Sequence, residues 1–428
     1  MFKKSHDFPH EPYNIINENA IVYVIGDLEG DSNILYRWLI QSKFIDSDLK
    51  WIASDNIYII HCGDKLDNGI AKALPTTTLP IFPFFNRRPK LGTYFNSDMY
   101  LLLFTDYLSI VSNNHFLSIL GNHEILNMQR DFRYVNLTNM LSNPNDSITL
   151  LNMFMNKDNK YQEFLNKIKP NIINYLENRR KLFKSDGIFG KLLKRRNFVI
   201  KINNLLISHA GLVTDLFKFL KSDDGLERFI KNINEQINIK QNWPSKSEFT
   251  EDDFNILYTS TPSTKSVKDF FAITNESEYT GLFKIILNTP NLSPIWNRTY
   301  VATSKMKIGV MNQCLPKDTS IFKDYIVILG HNGDKTINFC DCTETNPCVQ
   351  SYNTGDPLPK WIVTDVGFNT YSYPYLEALN INYKSNIINS ISVYKFPEES
   401  EVPIDIKDNR EINEKLGITT TTLENFFT

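Results

Sequence analysis

Five short apolar segments of the chain each run directly into a group of polar residues. The segments IVYVIG, IYIIHCG, FLSILG, LLIS and YIVILG have the length and apolar content of buried strands. Because loops at the carboxyl ends of strands in an α/β sheet meet at one edge, we expect the side chains that follow to lie close together. These residues are, in chain order, Asp27 and Glu29, Asp64 and Asp67, Asn122 and His123, His209, and His331.

Strands and helices alternate along the sequence. Apolar residues at helical spacing predict core-facing helices at 31–44, 98–112 and 225–237. This alternation is typical of an α/β fold. Apolar runs bounded by Gly, Asn and Asp predict strands at 21–26, 57–62, 116–120, 198–202, 204–208, 325–329, 361–364 and 390–395.

The chain of 428 residues is predicted to form one domain over 1–396, followed by a C-terminal tail at 397–428. A mostly helical insertion covers about 213–292, and a Pro-rich loop covers 73–96. We expect these two stretches to decorate the fold rather than to build its core.

The charge of the chain is balanced, with 46 basic and 48 acidic side chains and a net charge of −2. Such a balance gives no strong attraction to nucleic acids or to membrane surfaces, and we expect neither as a partner. The sequence contains no apolar run long enough to span a bilayer, and its N-terminus lacks the apolar core of a signal peptide. We therefore expect a soluble intracellular protein, whose oligomeric state the sequence leaves open.

Several other features favour a structural interpretation. The basic segment 179–196 is interpreted as a solvated helix face, with a nucleic-acid patch as the alternative. His61 is expected in the core or behind the site, and His115 is expected to be structural. Three neighbouring cysteines lack a fourth zinc ligand at suitable spacing, so we expect free thiols in an irregular loop. These cysteines are Cys340, Cys342 and Cys348.

The residue types after the five strands suit a site for divalent cations. Carboxylates, an amide oxygen and imidazoles are ligands of two-metal sites, and a rigid sheet can hold them on adjacent loops. Each motif alone is a weak signal, since Gly-Asp after a strand is usually a turn. Five strands that end in the same way predict a metal site, and a cation there would explain why buried strands run into negative charge.

The order of these motifs resembles the calcineurin-like metallophosphoesterases, and in particular the PPP-type phosphatases. The motifs are GD-x-E-G, GD-x-x-D-x-G, GNHE, HAG and GH. Four further stretches are similar to the Shewanella-like phosphatase branch, namely GNHEILNMQRDFRYV, RRKLFKSDGIFGKLL, SPIWNR and VTDVGF. The resemblance covers roughly residues 20–370 and implies a metallophosphoesterase-type β-sandwich, in which helices flank two mixed sheets.

The resemblance also implies roles for individual residues. His123 would be the general acid, Asp67 would orient His123, and Arg298 would contact the phosphate. Asp64 would bridge two divalent ions, for which we expect Mn²⁺ first, with Fe, Zn²⁺ and Mg²⁺ as alternatives. The complete set of implied metal ligands is Asp27, Glu29, Asp64, Asn122, His209 and His331.

These roles predict a metal-dependent phosphomonoester hydrolase, in which water held between two ions attacks phosphorus as hydroxide. The resemblance implies a phosphoprotein substrate and leaves phosphoserine, phosphothreonine and phosphotyrosine open. Hydrolysis of a dinucleoside polyphosphate is an alternative in the same fold, but SPIWNR and RYV argue against it. A further alternative is a pseudophosphatase that keeps the fold for binding, although the retained His123 and Asp67 argue against decay.

The chain departs from the family pattern at two positions. Glu29 stands where the family has His, and it adds a third carboxylate to the first metal site. We expect this carboxylate to favour Mn²⁺ or Mg²⁺ over Zn²⁺, and to raise the pH optimum or slow the enzyme. Asn68 stands where the family has Arg, which removes a phosphate contact worth about 2–4 kcal/mol in the transition state. The candidate substitutes are Arg130 and Arg133, then Arg87 and Arg88.

Overall fold

The computed structural model describes residues 9–30, 32–67, 97–129, 158–213, 225–239, 292–297, 324–331, 337–340, 361–364 and 376–396, with isolated residues and pairs between them. Within these ranges, no helix is long and apolar enough to cross a membrane. The helices are α1 (Ser32–Gln41), α2 (Ser97–Val111), α3 (Asn122–Met128), α4 (Tyr161–Phe183), α5 (Ile188–Leu193) and α6 (Leu226–Ile239). The strands are β1 (Asn14–Ile15), β2 (Ile21–Ile25), β3 (Ile57–His61), β4 (Phe116–Ser118), β5 (Val199–Ile202), β6 (Leu205–Ser208), β7 (Ile326–Leu329), β8 (Asn338–Cys340), β9 (Cys348–Val349), β10 (Trp361–Val363), β11 (Leu376–Lys384) and β12 (Ile387–Phe396).

The strands form two sheets of mixed direction. One sheet has the order β12-β11-β2-β3-β4, in which β2, β3 and β4 are parallel. The other has the order β1-β5-β6-β7-β10-β8-β9, in which β6, β7 and β10 are parallel. Each parallel group directs its carboxyl ends, and the polar loops that follow, to one edge of its sheet.

The two sheets pack face to face through alternate side chains of their strands. Val22 and Val24 of β2 lie in one buried cluster with Ile207 of β6 and Ile328 of β7. Successive residues of a strand point to opposite faces, so Ile25 of β2 joins a different cluster on the outer face. The inner cluster is the core of the sandwich.

Helices cover the outer face of each sheet. Leu35 and Trp38 of α1 pack in the cluster that contains Ile25 and Ile59. On the other side of the molecule, α4, α5 and α6 contribute to a large buried cluster with residues of the seven-stranded sheet, such as Leu206. Helices therefore flank two mixed sheets, which confirms the predicted α/β sandwich.

The eight predicted strands are confirmed, with shifts of a few residues at their ends. The sequence missed β11, which pairs with both β2 and β12. Its sequence LEALNINYK places Glu377 among apolar residues, which weakens the pattern of a strand. Glu377 is nevertheless buried, and its carboxylate accepts the backbone N–H of Ile337 at 2.8 Å. The short strands β1, β8 and β9 were also missed.

The helices predicted at 31–44, 98–112 and 225–237 correspond to α1, α2 and α6. Helix α6 falls within the predicted insertion, but most of that insertion lies outside the described residues, as do the Pro-rich loop and the C-terminal tail. The proposed domain limits therefore stay predictions. The irregular cysteine loop is corrected in part, because Cys340 and Cys348 stand opposite each other in the β8–β9 pair, while Cys342 lies outside the described residues.

Candidate metal centre

His209, which follows β6, lies at the centre of the polar groups at the strand ends. Its Nδ1 lies 2.7 Å from the carbonyl oxygen of Cys62, which can only accept, so Nδ1 carries the proton. The lone pair of the neutral ring is then on Nε2. This atom lies 2.9 Å from Asn122 Oδ1, 3.1 Å from His331 Nδ1 and 3.3 Å from Asp64 Oδ2. The loops after four strands of both sheets therefore converge on one point.

The convergent atoms fit a divalent cation. A carboxylate oxygen, an amide oxygen and two imidazole nitrogens are ligand types that such ions accept. The ligand atoms of Asp64, His209 and His331 all lie within 4.8 Å of one another, and all three residues are buried. The hydrogen bond from His209 to Cys62 fixes the ring so that its lone pair faces the other ligands, as is usual for metal-bound histidine.

Asp64 is held in a sparsely populated backbone conformation after β3. Its φ of +54° lies in the left-handed region, which is uncommon for residues with a side chain and is found at functional sites. Its Oδ1 accepts the backbone N–H of His123 at 3.0 Å. Burial alone would raise the pKa of the Asp64 carboxyl, but the positive charge that His209 and His123 carry when they are protonated outweighs burial and lowers the pKa overall. The site thus holds an ionised carboxylate.

Gly63 and Gly121 allow the loops after β3 and β4 to approach each other. Gly63 has a φ of +96°, and a Cβ atom on it would lie 2.6 Å from the backbone nitrogen of Gly121. A Cβ atom on Gly121 would lie 2.1 Å from Asp64 Oδ1. The glycines of the GD and GNHE motifs are therefore required by the packing around this carboxylate.

Asp27 and Glu29 follow β2 beside the same site. Asp27 Oδ1 accepts the backbone N–H of His331 at 3.3 Å and lies 3.8 Å from His209 Nδ1. Glu29 has a φ of +42° and donates its backbone N–H to the carbonyl oxygen of Asp64 at 2.9 Å. Its Oε2 is buried and accepts no hydrogen bond from the described residues. Such an oxygen is costly to bury, and a cation beside it would satisfy it.

His123 and Asp67 form a short hydrogen bond next to the convergent ligands. His123 Nδ1 lies 2.7 Å from Asp67 Oδ2, so the proton on Nδ1 is directed at the carboxylate. The other ring nitrogen, Nε2, lies 3.7 Å from Asp64 Oδ2. The nitrogen that faces the candidate cation site is therefore Nε2, as a proton donor at this site would require.

The structure brings the eight predicted site residues of the strand ends together at one end of the sandwich. The arginines predicted to contact phosphate, and Asn68, where a phosphate contact is predicted to be lost, lie outside the described residues, and their roles stay predictions. These residues are Arg298, Asn68, Arg87, Arg88, Arg130 and Arg133.

The interpretation of the basic segment 179–196 as a solvated helix face is wrong for three of its arginines. Arg179, Arg195 and Arg196 are all buried. Arg179 forms ion pairs with Asp67 at 3.1 Å and Asp98 at 2.6 Å. The segment as a whole is highly charged, and charged residues are rarely buried unless they have partners. The sequence pattern therefore predicted an exposed helix face and gave no sign of the buried partners.

A signal for the buried position of Arg179 is present in the sequence of α4. Its apolar stripe includes the buried residues Ile172, Leu176 and Phe183, at helical spacing. Arg179 continues the same stripe. An arginine in phase with an apolar stripe indicates a buried partner, but the sequence does not say which one.

Glu124 is a further residue to which the sequence assigned no role. Its carboxylate accepts the backbone N–H groups of Asp64 at 2.9 Å, Lys65 at 2.7 Å and Gly121 at 2.7 Å. Glu124 thereby joins the loops after β3 and β4 and fixes the backbone of Asp64. Its place in the GNHE motif was the available signal.

His61 and His115 have the structural environments that the sequence predicted. His61 is fully buried, with Nδ1 3.0 Å from Ser118 Oγ. His115 places both ring nitrogens 2.8 Å from backbone carbonyl oxygens, those of Ser112 and Asp55. Among the described residues, neither histidine belongs to the group of Asp64, His209 and His331 whose ligand atoms lie within 4.8 Å of one another.

An α/β sandwich with carboxylates, imidazoles and an amide gathered at the strand ends defines a metallophosphoesterase. Residues 21–292 match the family model of the calcineurin-like phosphoesterases. The chain belongs to this family, whose members are hydrolases that use divalent metals.

The individual proteins that this chain resembles have low sequence identity to it. Shewanella-like protein phosphatase 1 of Plasmodium berghei (strain Anka) is 26% identical over 227 residues, which are 53% of this chain and 48% of that protein. The chain thus spans about half the length of this curated relative.

Two solved structures show low similarity. The cold-active protein tyrosine phosphatase of a psychrophilic Shewanella species is 16% identical, with a TM-score of 0.46 over 90% of this chain and 83% of that one. A protein serine/threonine phosphatase from Saccharomyces cerevisiae is 12% identical, with a TM-score of 0.39 over 94% of this chain and 88% of that one. The fold assignment rests on the strands and helices of this chain and on the family match.

Proposed function

We propose that the chain is a metal-dependent phosphomonoester hydrolase that acts on phosphoprotein. The observation that carries the proposal is the convergence of Asp64, Asn122 and His331 on His209 Nε2, with the His123–Asp67 pair beside it. Membership of the phosphoesterase family supports the reaction class. The relative named as a protein phosphatase supports the substrate class.

The residues at the strand ends would hold two divalent ions. Asp64 would belong to both sites, as the family resemblance implies, and its Oδ2 lies 3.3 Å from His209 Nε2. When bound, the ions supply Lewis acidity toward the phosphoryl oxygens and toward the attacking water. The first ion would be held by Asp27, Glu29 and Asp64, and the second by Asp64, Asn122, His209 and His331.

His123 would protonate the oxygen of the leaving alcohol or phenol through Nε2. Its Nδ1–H is engaged by Asp67, which leaves Nε2 as the nitrogen directed toward the candidate cation site. Asp67 would fix both the tautomer and the angle of the ring. Arg298 would contact the phosphate with its planar guanidinium, which matches phosphate oxygens in pairs.

Glu29 would tune the first site rather than abolish it. Its buried Oε2 is a suitable ligand atom, and a third carboxylate favours Mn²⁺ or Mg²⁺ over Zn²⁺. Asn68 would weaken phosphate binding in the transition state, for which Arg130 or Arg133 could compensate. These two departures also favour a second candidate function, a pseudophosphatase that binds a partner without turnover.

The test combines metal analysis with an assay. The purified chain is loaded with Mn²⁺, its metal content is measured, and hydrolysis of an aryl phosphate and of phosphopeptides carrying Ser, Thr or Tyr is followed. The His123→Asn variant should lose turnover and keep its metals, whereas the matched variant of the exposed residue His10, His10→Asn, should keep both.

The outcomes separate the two functions. Two bound ions with turnover that depends on His123 support the hydrolase. Two bound ions without turnover favour the pseudophosphatase, and a chain that binds no divalent metal contradicts the proposed centre. The phosphopeptide series decides which phosphorylated residue is preferred.

A further inference from the structure

Arg179 is a buried arginine that contacts the carboxylate behind His123. It lies in α4, separated by 112 positions from Asp67 in the sequence, and its side chain has no exposed surface. Its Nη2 donates to Asp67 Oδ1 at 3.1 Å and to Asp98 Oδ2 at 2.6 Å. Its Nε donates to Asn127 Oδ1 at 2.7 Å. Its Nη1 donates to Tyr175 Oη in the same helix at 2.9 Å. One guanidinium thus joins four polar side chains, three of which come from other parts of the chain.

The contacts of Arg179 determine the orientation of Asn127. Arginine only donates hydrogen bonds, so the amide oxygen of Asn127 must face Nε and the amide nitrogen must face the other way. That nitrogen donates to Asp67 Oδ1 at 2.8 Å and to the carbonyl oxygen of His123 at 2.9 Å. Asn127 therefore links Arg179 by hydrogen bonds to both Asp67 and His123.

Asp67 is consequently held from three directions. Its Oδ1 accepts from Arg179 and Asn127, its Oδ2 accepts from His123, and its backbone N–H donates to Asp98 Oδ2 at 3.0 Å. Its φ of +80° is a conformation that the surrounding contacts must maintain. A buried carboxylate also needs a neighbouring cation, and Arg179 supplies that charge without entering the metal site.

We propose that Arg179 is a positioning residue that fixes the His123–Asp67 pair in the geometry for proton donation. The inference rests on the proposed function for its catalytic consequence, whereas the positioning itself is a property of the folded chain. Proton donation matters most when the leaving group is poor. Loss of Arg179 should therefore slow substrates with poor leaving groups more than substrates with good ones.

The kinetic test compares 4-nitrophenyl phosphate, which has the better leaving group, with phenyl phosphate. In Arg179→Lys, which keeps the charge but loses the planar fork, kcat for phenyl phosphate should fall roughly tenfold more than kcat for 4-nitrophenyl phosphate. The metal content should not change. The control is Arg195→Lys, because Arg195 is also buried but pairs with Asp106 at 2.7 Å, so the ratio of the two rates should stay as in the wild type.

A second measurement does not depend on turnover. The Nδ1 proton of His123, which faces Asp67, should give a downfield proton NMR signal that disappears in His123→Asn. This signal should persist in Arg195→Lys and be lost or broadened in Arg179→Lys. Asp98→Asn, which removes the other carboxylate on Arg179, should weaken it and provides a second variant if Arg179→Lys folds poorly.

The results separate the two proposals. A folded Arg179→Lys with an unchanged rate ratio and an unchanged NMR signal overturns the positioning role. A wild-type chain that shows the NMR signal but hydrolyses neither ester contradicts the proposed function, and the response of the signal to Arg179→Lys still decides the positioning role.

Discussion

Two buried arginines of this chain show how differently ion clusters can be built. We call Arg179 with Asp67, Asp98 and Asn127 the Arg179 cluster. We call Arg196 with its partners the Arg196 cluster, whose other members are Glu11, Asp106, Ser109 and Arg195. Both arginines have no exposed surface. Only the Arg179 cluster lies against the candidate site.

The Arg179 cluster is directional. The guanidinium of Arg179 donates hydrogen bonds to side-chain acceptors at 2.6–3.1 Å. One of these acceptors, Asp67, in turn accepts a hydrogen bond from the ring of His123 and so fixes its orientation. Asp67 and Asn127 also contact His123, so we expect their replacement to change the position of its imidazole ring.

In the Arg196 cluster, Arg196 itself is held by charge rather than by direction, although Ser109 and Arg195 each donate a hydrogen bond of 2.7 Å to the carboxylates of the cluster. The guanidinium of Arg196 lies 3.4 Å from Glu11 Oε1 and 3.5 Å from Asp106 Oδ1, and its three nitrogens make no hydrogen bond with the described residues. Burial raises the pKa of the Glu11 carboxyl, although Arg196 opposes this change. The cluster attaches the N-terminal segment to α2 and to the segment before β5. The comparison shows that burial of an arginine does not by itself indicate a role in catalysis.

The largest expected effect is at His123, which the Arg179 cluster contacts through Asp67. In His123→Asn, kcat for phenyl phosphate should fall roughly 10²- to 10⁴-fold, because a positioned proton donor is lost. The thermal midpoint should change little. A variant that retains the wild-type kcat would remove the functional distinction between the two clusters.

The next effect concerns stability and belongs to the Arg196 cluster. Arg196→Met should lower the free energy of unfolding by about 3–5 kcal/mol, because Glu11 and Asp106 lose a buried cation. The activity of the folded fraction should be unchanged. The control is Lys50→Met, since Lys50 faces Asp48 at 3.9 Å on the exposed surface and should change stability by less than about 1 kcal/mol. Denaturant unfolding of the three proteins measures the difference, and equal stabilities would contradict the prediction.

A smaller effect is expected at the buried residue His61, whose pKa is influenced by the charges of Lys65 and Arg196. Burial lowers the pKa of His61 well below its ordinary value of 6.5, and Lys65 and Arg196 lower it further. The folded state therefore keeps His61 neutral, while the unfolded state binds a proton below pH 6.5. Neutral His61 therefore costs no stability above that pH. As the pH falls below it, the free energy of unfolding decreases by about 1.4 kcal/mol per pH unit, because only the unfolded state binds the proton.

The measurement is the slope of unfolding free energy against pH between pH 5 and 6.5 (roughly the range below the ordinary histidine pKa). His61→Gln should lose this contribution to the slope, whereas His10→Asn should retain it. Because burial is the larger cause, Arg196→Met should retain most of it as well. Equal slopes in wild type and His61→Gln would mean that His61 is protonated in the fold.

The smallest effect is expected at Glu29, which lies outside both clusters. Glu29→His removes one carboxylate from the first proposed metal site, so the ratio of bound Zn²⁺ to bound Mn²⁺ should rise severalfold. The ratio is measured by metal analysis after dialysis against an equal mixture of the two ions. The Glu227→His variant, at an exposed partner of Lys201, is the control and should leave the ratio unchanged. An unchanged ratio in Glu29→His would show that Glu29 is not a ligand.

Much of the fold and of the candidate site could be predicted from the sequence because both depend on local patterns. Apolar runs such as IVYVI and IYIIH form strands in the structure. β11 was not predicted because its sequence contains polar residues. It forms a strand because it pairs with β2 on one side and β12 on the other, and these pairings cannot be predicted from the local sequence. Arg179 was misinterpreted for a similar reason, since its carboxylate partners are distant in the sequence.

The sequence by itself determined which segments become strands and which polar residues follow them, because strand formation and the position of a loop depend on neighbouring residues. The tertiary structure decided which of those residues meet. Parallel pairing aligned Asp64 and Asn122 in one sheet, and packing of the second sheet brought His209 and His331 against them. It also decided that Arg179 lies behind Asp67, since a buried charge takes its partner from whatever the packed helices and loops place within hydrogen-bonding distance.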